Sequence, residues 1–156
     1  MIISFAMILG GLSLLLYATS SSAHPPTRLD NSTVTSLDLD RYKGVWYEIA
    51  RKPHFFEKGM SHVKATYTLL PDGKIEVRNE GIKKGKLKVT FFLFPAQYNV
   101  LEIAPDYSYS VVGGSGEGYL WILSRTPTMD PSTLDGIFGR LRERGYDLSD
   151  VVLVEQ

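Results

Sequence analysis

Tyr42-Lys43-Gly44-Val45-Trp46-Tyr47-Glu48-Ile49-Ala50-Arg51 is the stretch on which the fold turns. Val45 to Ala50 is short and aromatic-rich, the composition of a strand, and from Tyr42 onward the dominant period is two. Val63 to Leu70 sets Val63, Ala65, Tyr67 and Leu69 on one face and Lys64, Thr66 and Thr68 on the other. Pro71-Asp72-Gly73 turns the chain. Lys74 to Asn79 then opposes Ile75 and Val77 to Lys74, Glu76 and Arg78, so turn and alternation together predict a hairpin. Leu87 to Phe94 directs Leu87, Val89, Phe91 and Leu93 one way. Strands at Tyr98 to Ile103, Tyr107 to Val112 and Tyr119 to Arg125 follow, joined through Ala104-Pro105-Asp106 and Gly113-Gly114-Ser115-Gly116. Seven short strands with no room for helices between them fit a barrel or sandwich, not an α/β sheet.

The period changes once. Asp130 is an N-cap ahead of Pro131, and Leu134, Ile137, Phe138 and Leu141 make the apolar stripe of a helix. Arg140, Arg142 and Arg144 suit the negative end of its dipole, and Gly145 is placed to cap it. Gly136 and Gly139 weaken the helix, so it depends on packing against the strands. Val151 to Val154 is a final short strand.

At the other terminus, Ile2 to Ala18 is almost wholly apolar and Ser21-Ser22-Ala23 supplies the small residues that signal peptidase requires. Residues 1–23 are therefore expected to be a signal peptide cleaved near Ala23, leaving a secreted or periplasmic chain. A membrane anchor is the competing reading, but glycines interrupt a stretch at or below the ~20 residues that cross a bilayer. His24 to Asp38, with Pro25 and Pro26, reads as a flexible lead-in to a domain over 39–156. Asn31-Ser32-Thr33 is a glycosylation acceptor in a eukaryotic host. The 156 residues contain no Cys, which excludes a lipid-modified cysteine, disulfides and thiolate chemistry. Lys and Arg total 17, as do Asp and Glu, so the basic surplus of a nucleic-acid binder is missing. Lys83, Lys84, Lys86 and Lys88 mark a solvated face.

Aromatic side chains are plentiful on the strands, and a barrel of this size either fills its interior or leaves a cavity. Periodicity leaves both readings open. Strand parity directs Ala65, Tyr67, Val77, Phe91, Val100, Tyr109 and Trp121 inward, with Glu48 in phase with Trp46. An inward carboxylate needs a partner or takes a proton, and is a candidate to hydrogen-bond a ligand head group.

The run from Gly44 through Trp46 to Arg51 resembles the first motif of the lipocalins, Gly-x-Trp followed by Tyr-Glu-Ile-Ala. Asp106-Tyr107 resembles the second in shortened form, and Tyr119 to Pro127, with its arginine Arg125, the third. The resemblance covers Leu39 to Gln156 and is to the bacterial outer-membrane lipocalin group with its plant and apolipoprotein D relatives. It implies an all-β, up-and-down antiparallel β-barrel with one C-terminal helix packed outside. Trp46 would close one end beneath Arg125 through cation–π attraction and guanidinium hydrogen bonds, with Gly44 permitting close approach. The open end would admit a small apolar ligand such as a fatty acid or lysophospholipid. The loop His54 to Met60 would cover that mouth, with Phe55 and Phe56 as lid residues or plugs. Phe55, Phe56, Tyr67, Phe91, Tyr109, Trp121 and Glu48 are thus the candidate ligand contacts, and Gly44, Trp46, Asp106, Tyr107 and Arg125 the structural signature.

One piece is missing. Relatives carry a long connection and a further strand between the segments matching Asn79-Glu80-Gly81 and Leu87-Lys88-Val89, where only Ile82 to Lys86 remains. Seven wall strands stand where eight are expected. The neighbours of the lost strand are expected to leave an open or gapped barrel, unless the chain is truncated by a splicing or gene-prediction error. Antiparallel pairing between them is expected to misplace Arg125 relative to Trp46. An exposed edge would invite a homodimer by strand addition.

No catalytic constellation is present, so no enzyme activity and no cofactor are expected. An esterase or isomerase would need a polar group inside the barrel, and Glu48 is the only candidate. His54 and His62 flank Glu57, but a metal needs further ligands, and loop polarity explains them. Besides ligand transport with peripheral membrane contact, the remaining alternative is a non-enzymatic envelope or extracellular interaction protein using the barrel as scaffold.

Overall fold

The computed structural model describes residues 28–83, 88–91 and 98–156, the strand at 88–91 by its backbone. The expected signal peptide lies outside the described residues. One helical turn, α1 (Leu39–Tyr42), precedes the strands β1 (Gly44–Arg51), β2 (Met60–Leu69), β3 (Ile75–Lys83), β4 (Lys88–Phe91), β5 (Asn99–Ile103), β6 (Tyr109–Gly113) and β7 (Leu120–Ser124). The helix α2 (Pro131–Glu143) and the short β8 (Val152–Leu153) complete the chain. The element absent from the sequence reading is α1. Asp38 caps it, accepting from the N–H groups of Asp40 (2.9 Å) and Arg41 (3.2 Å), and four residues are too few to show a helical period.

The sheet runs β4-β3-β2-β1-β7-β6-β5, with β8 on β1 off that path. Every neighbouring pair is antiparallel. Strands that alternate direction close on themselves only in even numbers. With seven on the path, β4 and β5 run the same way, and no pairing joins them among the described residues. The wall is open there.

The opening corrects one expectation. It falls between β4 and β5, not between β3 and β4, which pair directly with Asn79 opposite Phe91. That antiparallel pairing does not displace Arg125. Two hairpin-built blocks, β1–β4 and β5–β7, meet at the β1–β7 seam, so the mismatch in direction collects at their far ends.

Residues 28–38, expected as a flexible lead-in, are fastened down. Val34 N–H donates to the Val100 carbonyl of β5 at 2.9 Å. Arg144 reaches the carbonyls of Asp30 (3.1 Å) and Leu101 (3.0 Å) and that of Ser32. Leu29 packs beside α2, and Val34 and Leu37 pack on the interior cluster. The Asn31 amide donates to the Gly114 carbonyl (2.6 Å) and accepts from the Tyr146 hydroxyl (2.7 Å). A glycan on Asn31 would sacrifice those bonds.

Two apolar clusters divide the sheet by face. Ala50, Leu101, Val111, Leu120 and Ile122 meet Ile137 and Leu141 of α2 on the outside. Tyr42, Trp46, Ala65, Tyr67, Val100, Val112 and Leu123 meet on the inside, with Val77 and Trp121 against them. The helix begins where expected, Asp130 accepting from Ser132 N (2.9 Å) and Thr133 N (3.2 Å). Past its cap Arg144 the chain leaves the helix through Gly145, whose φ of 89° is the left-handed conformation that glycine supplies.

Candidate functional site

The closed end is built around Trp46, fully buried. The Arg125 guanidinium lies 3.7 Å over its ring and donates to the carbonyls of Val45 (3.0 Å), Tyr42 (3.1 Å) and Arg41. Trp46 Nε1 donates to the Tyr42 carbonyl at 2.8 Å. Gly44, at a φ of 101°, leaves its Cβ position 3.5 Å from Arg125 Nη1, so only glycine takes this bend without strain. Tyr107 clasps α1: its hydroxyl accepts from Asp38 N–H at 2.9 Å and its ring lies 4.0 Å from the Arg41 guanidinium. Asp106 holds the turn by accepting from Ser108 N–H at 3.0 Å.

Above Trp46, the inner wall carries Ala65, Tyr67, Val77, Val100 and Trp121, as alternation predicts. Sequence reasoning overlooks a network of hydroxyls there. Tyr98 lies 2.7 Å from the Tyr67 hydroxyl and 2.8 Å from that of Tyr42, which also reaches Ser110 at 3.1 Å. Burial holds the Tyr42 and Tyr67 phenols protonated.

Tyr109 is a correction. Its hydroxyl donates to Glu102 at 2.6 Å and lies 3.3 Å from Arg140 of α2, so it belongs to the outer layer. Burial and the adjacent Glu102 push its phenol up to about 12. From Ser110 to Gly113, β6 is buried on both faces, which erases the alternation that parity needs. The Phe91 side chain lies outside what is described.

At the mouth stands a cluster that the sequence reading lacks. Glu48 is buried and ion-paired with Arg51. Arg51 Nη2 donates to the backbone carbonyls of Glu57 (2.9 Å) and Met60 (3.3 Å), and its Nε lies 3.7 Å from the Glu57 carboxyl. Trp121 Nε1 donates to the same carboxyl at 3.3 Å. On a regular strand, residues three apart face opposite ways. A register shift between Glu48 and Ala50 turns Arg51 to the side of Glu48. His54 is no loop polarity: it stacks on Phe56 (5.0 Å), Tyr119 (5.2 Å) and Trp121 (4.8 Å), and its buried Nε2 has no hydrogen-bond partner. Phe55 and Phe56 part company. Phe56 joins the stack, while Phe55 is 89% exposed at the loop tip. Among the described residues no cluster of His, Cys, Asp and Glu could hold a metal.

A lipocalin-like domain model matches the chain in two pieces, residues 37–85 and 79–156. The chain belongs to the lipocalin family. The two pieces overlap over 79–85, beside the place where this lipocalin is a strand short. It is 38% identical over 145 aligned positions to outer membrane lipoprotein Blc of Vibrio cholerae, covering 79% of this chain and 85% of that protein. It is 36% identical over 162 positions to outer membrane lipoprotein Blc of Escherichia coli, covering 90% of each. An alignment longer than this 156-residue chain means that the relative has residues without a counterpart here. Temperature-induced lipocalin-1 of Arabidopsis thaliana is 38% identical over 74% of this chain and 77% of its own length. The fold is that of Per a 4 from cockroaches (TM-score 0.60, 23% identity, 81% of this chain and 96% of that one). Insecticyanin from the tobacco hornworm gives the same TM-score at 21% identity, over 85% of this chain and 88% of that one. The lipocalin therefore has a calyx suited to a small hydrophobic ligand. Family membership agrees with a transport protein and not with an enzyme.

Proposed function

We propose that this lipocalin carries an amphipathic lipid of the fatty-acid or lysophospholipid type. The chain of the ligand lies against Tyr67 and Trp121, Phe56 borders the entrance, and the head group rests near Glu48. The observation that supports this most is the ring stack of Phe56, His54, Tyr119 and Trp121 at the mouth, above an inner wall closed below by Trp46. Phe55 and Lys58, both exposed on the mouth loop, offer an aromatic ring and a cation as interfacial anchors do, so the mouth makes peripheral contact with a lipid surface. The chain is exported after cleavage near Ala23, and with no cysteine to lipidate it reaches membranes through the mouth. Val34 covers part of β5, so a homodimer by strand addition would form along β4, whose outer edge pairs with no strand among the described residues. Native mass spectrometry of delipidated protein with hexadecanoic acid or lysophosphatidylcholine tests the ligand class. Uptake of one equivalent is expected. Uptake of neither, with retention of a protein partner, would favour the scaffold reading.

A further inference from the structure

The mouth loop, residues 52–59, is clasped to the barrel by ionisable groups sealed from water. Glu57, on the loop, is 1% exposed; Glu48 and Arg51, on β1, are each 4% exposed. Two carboxyls therefore share one buried guanidinium. The carbonyls of Glu57 on the loop and of Met60 at the start of β2 rest on Arg51, and Trp121 of β7 secures the Glu57 carboxyl. If both carboxyls were ionised, the cluster would hold an uncompensated buried charge. With one proton retained, the charges balance.

We propose that Glu48, Arg51 and Glu57 form a proton-dependent latch that holds the mouth loop shut and lets it open as pH rises. The groups that face Glu48 explain the direction. Burial raises it first, the Glu57 carboxyl raises it further, and Arg51 only partly offsets them, so the Glu48 carboxyl is pushed up to about 8. Burial raises Glu57 as well, against Arg51 and the bond from Trp121. His54 on the loop is lowered, by burial first and by Arg51 second. Tyr67, facing Glu48 from β2, stays a protonated phenol.

In the open loop the carboxyl meets water and titrates near its ordinary value of 4.5. The closed state holds its proton far more tightly. It is therefore favoured fully below about 4.5, loses that advantage as pH climbs, and has none left above about 8. A ligand enclosed at neutral or acid pH is released on the alkaline side. The latch rests on the calyx reading only for what it retains; the loop motion itself is read without any ligand.

The test is amide hydrogen exchange of the ligand-free protein between pH 6 and 9, expressed as protection factors to remove the intrinsic rate. The Glu57 and Met60 N–H groups, bonded to the His54 and Glu57 carbonyls at 3.1 and 3.0 Å, report the loop. Their protection is expected to fall tenfold or more across this range, while the β1–β2 ladder keeps its own. Glu48→Gln, a neutral mimic of the protonated acid, is expected to hold the loop protection within twofold throughout. Flat protection in the wild type, or an equal fall in E48Q, would overturn the latch and leave the calyx reading intact. Infrared spectroscopy of the wild type needs no variant: a protonated carboxyl band is expected to persist at pH 7 and to be about half lost near 8. Its absence at pH 7 would equally overturn the proposal.

Discussion

Arg125 shows how one side chain can fix an end of a barrel. Its planar guanidinium covers the Trp46 ring and donates to three carbonyls around α1 and β1, a fork that an ammonium group cannot reproduce. Arg125→Lys is expected to cost about 1–3 kcal/mol in urea unfolding through lost hydrogen bonds and stacking. Tyr109→Phe removes the hydroxyl bonded to Glu102 and should cost about 0.5–1.5 kcal/mol. Because Tyr109 lies under α2, a fluorescence titration should show lipid affinity unchanged; a large loss would place Tyr109 in the calyx after all. The contrast between these residues explains what the sequence makes legible. Trp46 and Arg125 stand in motifs, and Tyr67 and Trp121 have clear alternation. Tyr109 sits on a doubly buried strand where alternation is lost. Arg51 and Glu57 were hidden because a backbone irregularity within β1 brings Arg51 to the inner face, and strand parity counts only regular steps.

At the scale of elements, α2 stabilises the sheet more than it stabilises itself. Gly136 and Gly139 lower its intrinsic propensity, yet Ile137 and Leu141 are fully sheltered against β5, β6 and β7. Leu141→Ala is expected to cost about 2–5 kcal/mol, with the upper part of the range if the cavity cannot collapse. Asp130→Ala, losing the cap, should cost only about 1 kcal/mol. Thermal unfolding of the two variants checks the order: tertiary packing should outweigh local helix formation. The helix boundaries were legible because Asp130, Pro131 and Gly145 are chemical signals at its ends. The single turn α1 offers only Asp38, a residue equally at home in a loop.

Across the whole molecule, a lost strand changes the parity of the wall. The sequence announces the loss by counting, but not where the opening falls, because that depends on which hairpins hold and which seam closes. Both blocks keep their antiparallel ladders and the Trp46–Arg125 closure, and the opening lies between β4 and β5. Val34 and Arg144 satisfy edge carbonyls of β5, the sort of cover that keeps an edge from pairing with another chain. Val34→Pro removes that donor, and concentration-dependent self-association is expected in sedimentation; a strictly unchanged state would mean that this strap does not guard the edge. Which face of this open sheet the lipid occupies decides whether the calyx is the binding site. Isotope-filtered nuclear Overhauser measurements with carbon-13-labelled hexadecanoic acid read this directly. Contacts to Trp121 and Tyr67 are predicted, and contacts to Tyr109 and Phe138 without them would contradict a ligand held inside the calyx.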